Sequence, residues 1–150
     1  MARRETVYVV PEDGGRDKGK RFHLTEMPAK KAEAWAIRLL MAMARHGVPI
    51  SDAQRDAGLA SLAEFGPQAL LTIPWEDAQP LLEEMMSCVE YYVDPKQPIY
   101  HRPLTPDEDE IDEVTTRVAL RYEVFKLHTD FSPAVGPSTS DTSGMTARAA

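Results

Sequence analysis

The chain has 150 residues, 43% hydrophobic and 27% charged, with a formal net charge of −7 at neutral pH. That length fits one domain, which should bury roughly 70% of its unfolded surface on folding, and the composition excludes a disordered polymer and a general nucleic-acid binder. A single cysteine, Cys88, cannot close an internal disulfide, so a reducing compartment is expected.

The first apolar run stops at Pro11, too early for a secretory leader, and nothing approaches the ~20 apolar residues a membrane span needs. Charge is unevenly placed. Residues 1–31 hold eight Lys/Arg against five Asp/Glu, whereas the remainder holds nine against nineteen. Such polarity reads as a solvated pattern, compatible with head-to-tail contacts between copies.

Thr6-Val7-Tyr8-Val9-Val10 is β-branched and aromatic, and Arg21-Phe22-His23-Leu24 is a second short extended run. The turn chemistry of Pro11 to Lys20 between them predicts a β-hairpin over 6–24. A lone hairpin is marginal, so it must lie on helices or pair with another chain. Pro28 suits the first turn of a helix that runs to about His46 and stops at Gly47 and Pro49. Between Ala34 and Ala44 only Arg38 is polar, so this helix must be covered on several sides, by its own fold or by a neighbour.

Ser51-Asp52 can cap a short helix to about Gly58, and Ser61 to Leu71 predicts another, broken at Gly66-Pro67. From Pro74 to Tyr92, Ala78, Leu81, Leu82, Met85, Val89 and Tyr92 recur at helical spacing. Asp94 to Pro106 contains four prolines and reads as an extended linker. Thr105-Pro106 then opens a last helix with two stripes, Ile111, Val114, Val118, Tyr122 and Phe125 on one and Leu120, Val124, Leu127 and Phe131 on the other. The expected fold is mainly α: a compact helical domain over 1–131 with a short N-terminal β-hairpin, followed by a flexible tail at 132–150 too poor in large apolar residues to order.

Three patterns invite a chemical reading. Gly14-Gly15-Arg16-Asp17-Lys18-Gly19-Lys20 matches a phosphate loop, but Arg21 stands where a magnesium-binding hydroxyl belongs and a strand follows where a helix is needed. A hairpin loop accounts for it. His23, His46, His101 and His128 are scattered, with no metal spacing among them. His46 suits the end of its helix, where a partial positive charge meets the dipole. The acidic run Asp107 to Glu113 is explained by a first helical turn, whose dipole favours carboxylates. Cys88 has no basic neighbour within a turn to activate it. No nucleophile–base pair or metal set emerges, so no enzymatic activity and no cofactor are expected.

The run Gly19-Lys20-Arg21-Phe22-His23-Leu24-Thr25-Glu26-Met27-Pro28-Ala29, followed by Ala32-Glu33-Ala34-Trp35-Ala36-Ile37-Arg38, resembles the N-terminal part of tail assembly chaperones of tailed phages and prophages. Val124 to Phe131 is similar to their closing helix. The resemblance implies a protein that coats the long helical tape measure protein in the host bacterial cytoplasm, helps recruit the tail tube protein, and is absent from the finished virion. The net negative charge and the lack of a long apolar run leave no nucleic-acid or membrane partner expected, and self-association is left open. Helix-in-groove recognition needs apolar anchors at helical spacing, for which Trp35, Leu39, Met43, Met85 and Met86 are the expected protein-binding residues. Two rival readings remain, a head–tail connector or tail terminator retained in the particle and a small DNA-binding regulator. The acidic start of the last helix disfavours the second.

Overall fold

Residues 3–130 are described by the structure, a computed structural model. The hairpin forms where its residues predict it: β1 (Glu5–Val9) pairs antiparallel with β2 (Arg21–Thr25), Tyr8 opposite Phe22 and Thr6 opposite Leu24. Phe22 and Leu24 are fully buried, while Val7 and Val9 on the other face are exposed. Alternation thus turns one face inward, as the period of a strand requires.

The hairpin does not stand alone, and this overturns the mainly α expectation. β3 (Val89–Tyr92) pairs with β2, and β4 (His101–Pro103) pairs with β3, giving a four-stranded antiparallel sheet in the order β1-β2-β3-β4. With 52% helix and 13% strand among the described residues, the fold is mixed α/β. The free edge of β2, marginal as a hairpin, is satisfied within the chain rather than by a second one. Val89 and Tyr92 follow Met85 at helical spacing, which predicts a helix to Tyr92. Instead α4 (Trp75–Met86) ends at Ser87, and the backbone N–H of Thr25 bonds the Cys88 carbonyl at 3.0 Å as the ladder begins. Ladder bonds and the β preference of Val89, Tyr91 and Tyr92 outweigh the helical period. The proline-rich stretch after Asp94 is likewise not all linker, since His101–Pro103 lies within it.

Helices cover the inner face of the sheet. α1 (Ala29–Arg45), α2 (Asp52–Ala57), α3 (Leu59–Phe65), a 3-10 segment (Pro67–Thr72) and α4 precede α5 (Val114–Thr129). Ser51 caps α2 in a reciprocal capping box with Gln54. Leu39, Met43, Leu62, Met85, Leu120 and Val124 close the core over Phe22 and Leu24. The central helix is therefore largely enclosed by its own domain, with Ile37 and Met41 left outside. The tail at 132–150 and Phe131 lie outside the described residues.

The loop between β1 and β2 ties the first part of the chain to the last. A 3-10 turn at Gly15–Asp17 carries the Asp17 side chain into the interior, where none of it is exposed. Its carboxylate accepts Lys20 Nζ at 2.8 Å and the backbone N–H groups of Asp112 and Glu113 at 2.9 and 2.8 Å. Burial by itself would raise the Asp17 pKa. The hydrogen bonds from Lys20, Asp112 and Glu113 outweigh it and bring the carboxyl from 3.8 down to about 2. Arg16 clamps the same place, its Nε and backbone N–H meeting Glu113 Oε2 at 3.1 and 3.0 Å. Gly15, at a φ of 64°, lies so close to the Glu113 carboxylate that a Cβ would collide with it.

The acidic run is consequently not a first helical turn. α5 starts only at Val114, and four acids ahead of it have cationic partners: Glu108 with Arg117, Glu110 with Arg102, Asp112 with Lys20 and Glu113 with Arg16. Discrete charge pairs, rather than the dipole, fix this segment.

At the other end of α5, buried His128 donates from Nδ1 to the Val124 carbonyl and accepts the Met27 N–H at Nε2, both at 2.8 Å. These partners define a neutral imidazole. Burial pushes its pKa below the ordinary 6.5.

Two outcomes follow for stability. A carboxyl whose folded pKa is depressed contributes stability above its unfolded value and loses it as pH falls through the folded one. Asp17→Asn should therefore cost on the order of 2–3 kcal/mol at pH 7 in urea unfolding, and should flatten the acid loss between pH 4 and 2. For His128 the depressed pKa means stability is complete above 6.5 and declines as pH falls below it, because the unfolded chain takes the proton first. His128→Phe should remove that decline in thermal melts at pH 7 and 5, while costing roughly 1–3 kcal/mol through the Met27 N–H left without an acceptor.

Candidate protein-binding groove

Apolar side chains that fail to reach the core gather in one place. α5 carries two apolar stripes, and the core takes the one through Leu120 and Val124, along with Phe125. Val114, Val118 and Tyr122, one turn apart on the remaining stripe, stay in solvent. Beside them α4 opens with Trp75, and the 3-10 segment contributes Leu71. Their exposure decides the matter: 86% for Leu71, 61% for Trp75, 49% for Val118 and 48% for Tyr122. Large aromatic and aliphatic groups exposed together, unlike scattered ones, mark a contact surface.

These residues wall an open groove of about 500 Å³ with Leu70, Ile73, Ala78 and Leu82 along it and Met85 at its base. Local sequence explains the shape. Gly66 adopts a φ of 78° and Pro67 follows, so α3 cannot continue into the next segment. The chain instead makes a 3-10 turn whose Ala69 and Leu70 point inward and whose Leu71 points out. Pro74 then precedes α4 in extended backbone, and Trp75 is presented at the first turn.

Arg121 is the charged residue of the groove wall. It is half-buried and has no hydrogen-bond or ion-pair partner among the described residues. Burial, and after it the neighbouring Arg117, lower its pKa, with Glu108 acting the other way. Arg117 itself is engaged, holding the Glu108 carboxylate at 2.5 and 3.1 Å.

Four of the five expected binding residues lie away from the groove. Trp35, Leu39, Met43, Met85 and Met86 are all buried. Trp35 donates its indole N–H to the Leu81 carbonyl at 3.0 Å and meets Phe125 edge-on. Of the five, Met85 alone lines the groove, at its base. A helix apolar nearly all round is covered here by α3, α4 and the 3-10 segment, so its methionines fill the core rather than a surface. The signal for the actual groove was present in the doubled stripe of α5, since one helix rarely buries two stripes at the edge of a small domain.

The remaining candidates have structural accounts. Lys20, in the phosphate-loop pattern, bonds Asp17, Asp112 and the Glu110 carbonyl, and β2 follows it directly. Cys88 is buried, and burial pushes its thiol up to about 11. His23 and His101, far apart in sequence, stack at 4.2 Å between centroids on the outer sheet face, beside Tyr92 and under the reach of Glu5 and Glu90. Strand order, which spacing along the chain does not encode, brings them together. Among the described residues no group of three His, Cys, Asp or Glu could hold a metal ion, and no helix is long and apolar enough to cross a membrane.

The two tryptophans should separate core from groove. Trp35→Ala is expected to cost roughly 3–5 kcal/mol in urea unfolding, and Trp75→Ala to stay within about 0.5 kcal/mol. A comparable loss at Trp75 would mean that it supports the fold rather than a contact.

No protein-family model matches the chain, and no curated protein or solved structure matches it either.

Proposed function

We propose that this chain is a tail assembly chaperone of a tailed phage or prophage, which holds apolar helical segments of the tape measure protein in solution during assembly and cooperates with the tail tube protein. The supporting observation is the groove between the Pro67–Thr72 segment, α4 and α5, with Leu71, Trp75, Val118 and Tyr122 exposed around it. The resemblance of residues 19–46 to the family supplies the biological setting, and the groove supplies a physical means. Its walls are helical and its rim aromatic, the form that receives the apolar face of another helix. Weak single contacts suffice, because many copies along one extended client act together through effective concentration.

Co-expression with a phage tape measure protein is the direct test. The wild-type chain should keep that protein soluble and co-purify with it. A Leu71→Asp, Tyr122→Asp double variant should remain folded, since both side chains are solvent-facing, and should lose at least nine-tenths of the co-purified client. A tape measure protein equally soluble with the double variant would remove the groove from the reading. Finding the chain at stoichiometric copy number in purified particles would replace the chaperone with a structural tail component.

A further inference from the structure

Arg121 is the one charged residue that lines the groove, beside Gln68 and otherwise apolar groups, and among the described residues it has no counter-charge. Arg121 lies one turn beyond Val118 and beside Tyr122 on the exposed stripe of α5. The protein carries an excess of seven negative charges, yet among the described residues no carboxylate reaches Arg121 to form an ion pair. The nearby Glu108 is committed to Arg117 through both oxygens. Arginines elsewhere around the start of α5 behave differently: Arg16 and Arg102 hold carboxylates of the segment ahead of it, and Arg117 holds Glu108. A half-buried guanidinium against apolar groups prefers a planar carboxylate that matches its donors, and covering the groove would raise the cost of leaving it without one.

We propose that the groove seats an amphipathic helix of a partner polypeptide which carries an Asp or Glu within one turn of its large apolar anchors, and that this carboxylate docks on Arg121. The inference rests on the reading of the groove as the client site, and it narrows the client. Apolar anchors settle over Leu71, Trp75 and Tyr122. The carboxylate sets register along α5, because one residue of slip moves it about 1.5 Å along the helix axis and 100° around it. Purely apolar or basic helices are then discriminated against, since each would bury Arg121 without a counter-charge.

Fluorescein-labelled 18-residue helical peptides with Leu and Phe anchors at i, i+3, i+4 and i+7 provide the probe. Three peptides differ only in having Glu, Gln or Lys one turn from the central anchor, and anisotropy reads their affinity for the full chain at 0.15 M salt. The Glu peptide should bind about five- to tenfold more tightly than the Gln peptide, with the Lys peptide weakest. Arg121→Gln should abolish the difference between Glu and Gln, and Arg121→Glu should invert the order so that Lys leads. Equal binding of all three overturns the role of Arg121 and leaves the groove standing. Absence of binding by every peptide overturns the groove and this inference together. Oleate displacing the Glu peptide at equal or lower concentration would make the ligand a fatty acid and overturn the proposal. So would a dimer in sedimentation that Arg121→Glu dissociates, which would assign the groove to a second copy.

Discussion

A buried carboxylate organises this molecule. Asp17 sits in a loop that would otherwise be a surface turn, and it gathers one ammonium and two backbone donors from the segment ahead of α5. The consequence is topological. β1 and β2 are local, but α5 arrives some ninety residues later and must be docked with its Leu120 and Val124 stripe inward. Arg16, Lys20 and Arg102 complete a ring of charge pairs around that docking point. A buried charge stripped of its partners is strongly destabilising, so the arrangement tolerates one placement of α5 and disfavours neighbouring ones. His128 fixes the far end of the same helix against Met27. Held at both ends, α5 has a defined rotation about its axis, and that rotation leaves Val118 and Tyr122 outside.

The groove follows from this rotation together with two breaks in the helical layer. Gly66-Pro67 and Pro74 turn the chain twice within ten residues, leaving a short 3-10 segment too narrow to cover the second stripe of α5. A longer regular helix at that place would have buried it. The apolar area in solvent is thus a product of specific backbone interruptions and not of an overall excess of hydrophobic residues, which the core absorbs readily through α1.

Local features could be read from the residues, and pairing between distant segments could not. The hairpin, the span of α1, the Ser51 cap and the break at Gly66-Pro67 each depend on side-chain and backbone preferences within a few positions. β3 failed because Val89 and Tyr92 satisfy a helical period and a strand preference alike, and only the presence of the β2 edge decides between them. The acidic run failed for a related reason. Its carboxylates suit a helix start, but their cations at Arg16, Lys20 and Arg102 come from the hairpin loop and β4, which no spacing along the chain reveals. Trp35, Leu39, Met43, Met85 and Met86 are buried although an exposed apolar face was expected of them, because methionine and tryptophan mark adaptable surfaces and well-filled cores equally. Trp35 and Trp75 differ in role only through what happens to lie over them.

The two borders of the sheet are unequal. β4 has three residues and finishes at Pro103, which lacks an N–H, so a further strand would find little backbone to hydrogen-bond there. β1, five residues long with Val7 and Val9 outward, has no such block. Were two copies to meet by strand pairing, they would do so β1 to β1, and that contact would be two-fold symmetric and closed, with no open border left on which a third copy could add.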